Sequence, residues 1–96
     1  MNEYPFTHNQ AEHRFELDLL DGTTALACYV VRADGAVILT HTEVPPRHEG
    51  QGIGSQLLAR TLAALRADGR RIVPQCSFAV AYVNHHPEWQ ELLADR

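Results

Sequence analysis

The run Glu49-Gly50-Gln51-Gly52-Ile53-Gly54-Ser55 decides how this chain is read. An apolar stretch, residues 36–44, precedes it, and Pro45-Pro46 breaks that stretch off. A segment of helical periodicity follows from Gly52. Three glycines at alternate positions leave backbone amides bare, so an anionic group can come close. The same amides are the unpaired donors of a helix N-terminus, where the helix dipole favours negative charge. Strand, glycine-rich turn and helix together describe a phosphate site. The bland alternative is a glycine-rich helix start that holds no ligand.

Three phosphate sites use such a turn. A Walker loop needs a Lys after its last Gly, and the chain contains no Lys. A dinucleotide fingerprint needs a small residue where Ser55 stands and an acidic residue ending the next strand, about 20 residues on. The next strand candidate, residues 71–76, ends in Gln75-Cys76, and the chain is short for a doubly wound domain. The third option is a pyrophosphate held by successive amides alone, as in coenzyme A.

With 96 residues, the chain has length for one domain, read as 1–96. Its 45% hydrophobic and 21% charged residues match ordinary soluble domains. No apolar run is long enough to span a membrane, and the first residues lack the basic start and apolar middle of a signal peptide. A formal charge of −4 without a basic cluster argues against nucleic acid as partner. Cys28 and Cys76 have neither metal spacing nor a disulfide framework, so the cytoplasm is the expected compartment.

Outward from the turn, the first half reads as an antiparallel meander. Residues 13–19, 24–32 and 36–44 are strands, joined by the turn signals Asp21-Gly22 and Asp34-Gly35. Residues 1–11 read as an irregular lead-in. Beyond the turn, Ile53, Leu57, Thr61 and Leu65, flanked by Leu58 and Leu62, make one buried helical stripe. Gln56, Arg60 and Ala63 face outward, and Gly69 ends the helix. A strand at 71–76 follows, so a parallel pair is expected across the helix. Ser77 is read as the cap of a helix to Asn84, and Pro87 as the start of a last helical segment to Ala94.

This order resembles the core of the GNAT superfamily of acetyl-CoA-dependent N-acetyltransferases. Glu49 to Gly54 occupies its motif of Gln or Arg, two residues, Gly, one residue, and Gly or Ala. More narrowly, the chain is similar to very small GNAT-like proteins of the YjdJ/NATD1 type. The matching segments are Arg14-Phe15-Glu16, His41-Thr42-Glu43-Val44-Pro45, the glycine-rich turn, Pro74-Gln75-Cys76 and His86-Pro87-Glu88-Trp89. The resemblance implies a minimal GNAT fold of α/β (α+β) class, with a mostly antiparallel sheet and a parallel pair at the cofactor site. It implies acetyl-CoA or coenzyme A as cofactor and an amine as acceptor. One departure stands out: Glu49 replaces Gln or Arg. The amides are expected to carry the binding while Glu49 turns outward.

The resemblance places the acetyl group near Val44 and Cys76. Gln51, Gly52, Ile53, Gly54 and Ser55 would cradle phosphate, and Asn84, His85 and His86 would contact the pantetheine or the 3′-phosphate. Glu43, at a strand end, is the candidate proton acceptor for the amine, and His41 stands two residues back on its face. The bland readings are a solvated carboxylate and a hydrogen-bonded sheet histidine. Cys76 is read either as an acyl-carrying nucleophile or as a small residue lining the pocket. Tyr82 is read either as the acid for the departing thiolate or as an aromatic packed on the sheet. Cys28 is read as core. His85-His86 lacks a third ligand, so no metal is expected. The chain passes from its first strand to its second by residues 20–23, without the helices that wall the acceptor site in larger relatives. The acceptor is therefore expected to be a protein or peptide amine, unless a second subunit in a homodimer closes the site.

Overall fold

The computed structural model describes residues 3–94. Five strands form one sheet in sequence order: β1 (Phe6–Asn9), β2 (Arg14–Asp18), β3 (Thr24–Val31), β4 (Val37–Glu43) and β5 (Ile72–Pro74). The first four pair antiparallel, and β4 with β5 is parallel. The parallel pair requires a crossover. Helix α1 (Ile53–Ala67) makes it, and a second helix, α2 (Ser77–His85), follows β5. Short 3-10 turns lie at Pro46–His48 and Pro87–Leu92.

Alternation along β2 and β3 puts Phe15, Leu17, Ala25, Ala27 and Tyr29 on one face, and all are buried. α1 presses its stripe onto that face: Ile53, Leu57, Leu58, Thr61, Leu62 and Leu65 are buried together. Fully burying a leucine contributes about 1.5–3 kcal/mol, so this stripe carries much of the fold. α2 adds Ala79, Tyr82 and Val83, and the last turn adds Trp89 and Leu92. At the end of α1, the amide of Arg70 donates to Leu65 O and that of Gly69 to Arg66 O. This double bond pattern needs the left-handed φ of +70° that Gly69 adopts.

Three expectations are corrected. Phe6–Asn9 is a paired edge strand rather than part of an irregular lead-in. Arg60 ties it down: its guanidinium donates to Tyr4 O at 2.6 Å and lies 4.9 Å over the Phe6 ring. Arg60 is thus half-buried where periodicity alone faced it to solvent. Ser77 is the first residue of α2 and makes no capping bond; Cys76 holds the cap position. The last segment is a 3-10 turn ending at Leu92, after which Leu93 bridges Ile72 and the amide of Ala94 donates to Ile72 O.

Candidate active site

One irregularity in β4 sets the geometry. Tyr29 pairs with Leu39 and Cys28 with His41, so Thr40 is an extra residue in β4. Strict alternation would put His41 and Glu43 on the face of Leu39. The bulge reverses this. Thr42 now opposes the buried Ala27 on the helix-covered face, while His41 opposes Cys28 and Glu43 opposes Leu26 on the other. His41 Nε2 lies 3.3 Å from Glu43 Oε1, and the two side chains are 59% and 61% exposed.

The parallel ladder stops at the same place. Leu39 pairs with Pro74, and Leu39 O accepts from the amides of both Gln75 and Cys76. Beyond it the strands part, as β4 runs into Pro45 and the chain after β5 turns into α2. Cys76 caps α2 at this fork, half-buried, with Sγ 3.4 Å from Thr42 Oγ1.

Beside the fork lies a cavity of about 320 Å³, within the range of small-molecule sites. Thr42 of β4 and Val44 just past its end line one side. The turn supplies His48, Glu49, Gly50 and Gly52, and α1 supplies Ile53, Gly54 and Ser55. Gly52 caps α1 with φ +77°, a left-handed value that an L side chain adopts only with strain. No heavy atom lies within 4 Å of where its Cβ would be. By helix geometry the amides of Ile53, Gly54 and Ser55 have no intrahelical acceptor. The first turn of α1 contains no acidic residue.

Phe78 of α2 forms the remaining wall. It was not singled out from the sequence, where it reads as one more apolar residue of a short helix. Its signal lies in Gly54: a Cβ there would meet the Phe78 ring at 2.7 Å. The last glycine of the motif is therefore a packing site for an aromatic ring.

The turn is held from outside by an ionic clasp. His48 Nε2 lies 2.8 Å from Asp21 Oδ2, and His48 Nδ1 lies 3.1 Å from Gln51 Oε1. Arg47 donates to the same Asp21 oxygen at 3.2 Å. Hydrogen bonds from Thr23 and His48 hold the Asp21 carboxyl well below its ordinary range. The bonds to Asp21 and Gln51 push His48 up, favouring the imidazolium. The turn thus favours a positive charge at the cavity rim, one residue before the position where the motif has Gln or Arg. Glu49 is exposed at the same rim.

The remaining sequence candidates lie farther off. Tyr82 is buried, its hydroxyl pushed up by burial, with its ring stacked on His86 at 4.0 Å. It lines a separate groove with Ser55, Phe78, Ala81, His85 and His86. Asn84 is exposed on α2. Cys28 is half-buried on the open sheet face rather than in the core, and burial raises its thiol pKa. Among the described residues, no three His, Cys, Asp or Glu side chains gather as a metal site, and no helix is long and apolar enough to cross a membrane.

A parallel pair that opens at its end, with a glycine-rich helix start beside the opening, is the geometry that the sequence motif implies. Residues 14–92 match the model of a family described as GCN5-related N-acetyl-transferase. The chain belongs to this family. Comparison with curated proteins gives no match. Membership covers nearly the whole sheet and both helices, and it supports acetyltransferase activity in general terms. The family's cofactor class, an acyl-coenzyme A, suits a turn whose donors are backbone amides.

Proposed function

We propose that the protein is an acetyl-CoA-dependent N-acetyltransferase acting on an amine, within the very small YjdJ/NATD1-type group. The cavity between the glycine-rich turn and the fork of β4 and β5 carries this reading. The residues present fit a pyrophosphate: the amides of Ile53, Gly54 and Ser55 are free of helical acceptors, Gly52 leaves open space, and His48, pushed toward its protonated form by Asp21, stands at the rim. Ser55, in the first turn of α1, lines the cavity, whereas Gln51 does not and instead bonds His48. Glu49 opposes the binding only weakly, because its exposed charge is screened by solvent.

Bound acetyl-CoA would supply the thioester that is attacked. Thr42, Val44 and Cys76 line the route from the cavity to the fork, so they orient the acetyl end. Glu43 stands past the fork on the open face and accepts the proton that the attacking amine loses. His41, 3.3 Å away, orients that carboxylate and shares its proton. Cys76 acts here by shape. Tyr82, buried in the neighbouring groove, serves packing in this reading. His41 and Glu43 are mostly exposed on the open sheet face, so the acceptor is an amine on a protein or peptide, or a homodimer partner completes the site. The free thiols of Cys28 and Cys76 fit a cytoplasmic setting.

A second reading is a coenzyme A-binding module without catalysis. The bulge favours it, because it turns His41 and Glu43 away from the face on which the cavity lies. Two measurements separate the readings. Native mass spectrometry and calorimetry report whether coenzyme A and acetyl-CoA bind. An assay of free coenzyme A release with peptide amines reports turnover. Binding with no release from any amine favours the module, and absence of binding refutes both.

A further inference from the structure

His48 ties together two segments that lie 27 positions apart, and it does so at the wall of the cavity. Its ring is closely held, with 14% of the side chain exposed. Both ring nitrogens face oxygen atoms, Asp21 Oδ2 on the Nε2 side and Gln51 Oε1 on the Nδ1 side. A carboxylate oxygen and an amide oxygen can only accept. A neutral imidazole has one N–H to give, whereas the imidazolium has two. The two contacts are therefore satisfied together only by the charged ring.

Asp21 is itself fixed on both oxygens. Its Oδ1 accepts from the amide and the hydroxyl of Thr23, and its Oδ2 accepts from Arg47 as well as from His48. The other charges facing His48 are Arg47, 64% exposed, and Glu49, exposed at the rim. They are opposite in sign and reach solvent, so neither takes over from Asp21. The end of β4, α1 and α2 bring only uncharged residues to this cavity, among them Thr42, Ser55 and Phe78. On the far side of the ring, Gln51 directly precedes Gly52. There α1 begins with a left-handed φ and without a side-chain cap. The bond from His48 to Gln51 thus steadies the residue that leads into the first free amides of the helix.

We propose that His48 is the positioning residue of the glycine-rich turn: as an imidazolium it holds Asp21 and Gln51 together, keeps the amides of residues 53–55 in place beside the cavity, and makes affinity for a pyrophosphate follow a single proton. Losing that proton removes one of the two bonds and the positive charge at the rim in one step. Affinity should therefore fall as pH climbs through the His48 titration, which lies above 6.5. By reciprocity, a bound pyrophosphate holds the proton more firmly. The identity of the ligand rests on the cofactor reading above, whereas the proton-dependent order of the turn does not.

Two measurements test this. In the first, the labelled protein without ligand is titrated between about pH 5.5 and 8.5 and followed by NMR. The amides of residues 51–55 should shift with the same midpoint as the His48 ring, and Asp21→Asn should lower both midpoints together. Amides that stay still while the ring titrates overturn the positioning role. In the second, dephospho-coenzyme A is titrated by calorimetry over the same range, because its pyrophosphate keeps its charge there. The parent should lose affinity at least about fivefold from the acidic to the basic end. His48→Gln should be as weak as the parent at its basic end and flat with pH. Asp21→Asn should move the fall to lower pH without abolishing it, a displacement that a merely structural loss would not produce, and it serves if His48→Gln does not fold. Equal pH slopes in the parent and His48→Gln overturn the proposal. Absence of binding at every pH refutes the pyrophosphate half along with the cofactor reading, and the NMR result then decides the positioning half by itself.

Discussion

Replacing Gly54 tests whether the glycine-rich turn is shaped by the aromatic ring above it. In Gly54→Ala the new Cβ would stand 2.7 Å from Phe78 Cζ and 3.1–3.2 Å from the Cε atoms. Carbon atoms pack best at about 3.5–4.0 Å, so the ring must retreat by about 1 Å. Overpacking costs about 1–3 kcal/mol. The low end applies because the ring is 39% exposed and free to swing. Against this, alanine is better than glycine within a helix by about 1 kcal/mol. The single variant should therefore lie within about 1 kcal/mol of the parent. In a Phe78→Ala background the clash is gone and only the propensity gain remains, so the same change should stabilise by about 1 kcal/mol. The coupling between the two sites is then about 1–2 kcal/mol. Urea unfolding of the four proteins of the cycle measures it. Coupling below about 0.5 kcal/mol, the range expected for independent sites, would show that Phe78 does not dictate the glycine. Because Phe78 also walls the cavity, Gly54→Ala should weaken coenzyme A binding even where stability is unchanged.

Four further outcomes are expected. Gly52→Val puts a side chain into open space at a left-handed φ of +77°; it should cost about 1–2 kcal/mol in urea unfolding and lower acetyl-CoA affinity at least tenfold by calorimetry. Thr61→Val removes a fully buried hydroxyl whose Oγ1 has no partner, and thermal unfolding should show a gain of about 1 kcal/mol; a loss would mean that the hydroxyl is satisfied. In one acetyl-transfer assay, Cys76→Ala should keep much of the activity while Glu43→Gln loses about 10²-fold, and the reverse order would make the thiol the acyl carrier. The His48 pKa is raised in the folded state, so its contribution is complete below the ordinary value of 6.5 and is lost as pH climbs through the raised one. The Asp21 pKa is lowered, so its share is present above the ordinary value of 3.8 and fades as pH falls through the lowered one. The clasp is therefore complete between the two ordinary values, 3.8 and 6.5, and weakens on either side. An NMR titration should find His48 above 6.5, dropping toward 6.5 in Asp21→Asn; no drop would remove Asp21 as the cause.

Much of this protein is legible in its sequence because the signals are local. The switch from alternating to helical spacing at Gly52 marks the move from sheet to α1, since each period buries one face. The helix stripe from Ile53 to Leu65 and the stop at Gly69 follow from side-chain geometry and from a φ that glycine adopts without strain. The family motif is likewise a local string. What escaped depends on contacts between segments far apart in sequence. β1 is a strand because Arg60 and β2 hold it, and nothing within Phe6–Asn9 announces that. The bulge at Thr40 depends on how two strands register, and it puts Thr42 on the cavity side while sending His41 and Glu43 to the other face. Tyr82 is buried beside His86 because α2 packs against α1 as well as against the sheet. The partner of Gly54 lies 24 positions along the chain at Phe78, and the partner of His48 lies 27 positions back at Asp21. Sequence alone set the family, the order of elements from β2 onward and the place of the turn, because period, glycine and proline act within a few residues. Tertiary structure decided which side of the sheet each strand-end residue of β4 faces, because a one-residue slip in register exchanges the two faces and only the pairing with β3 fixes it.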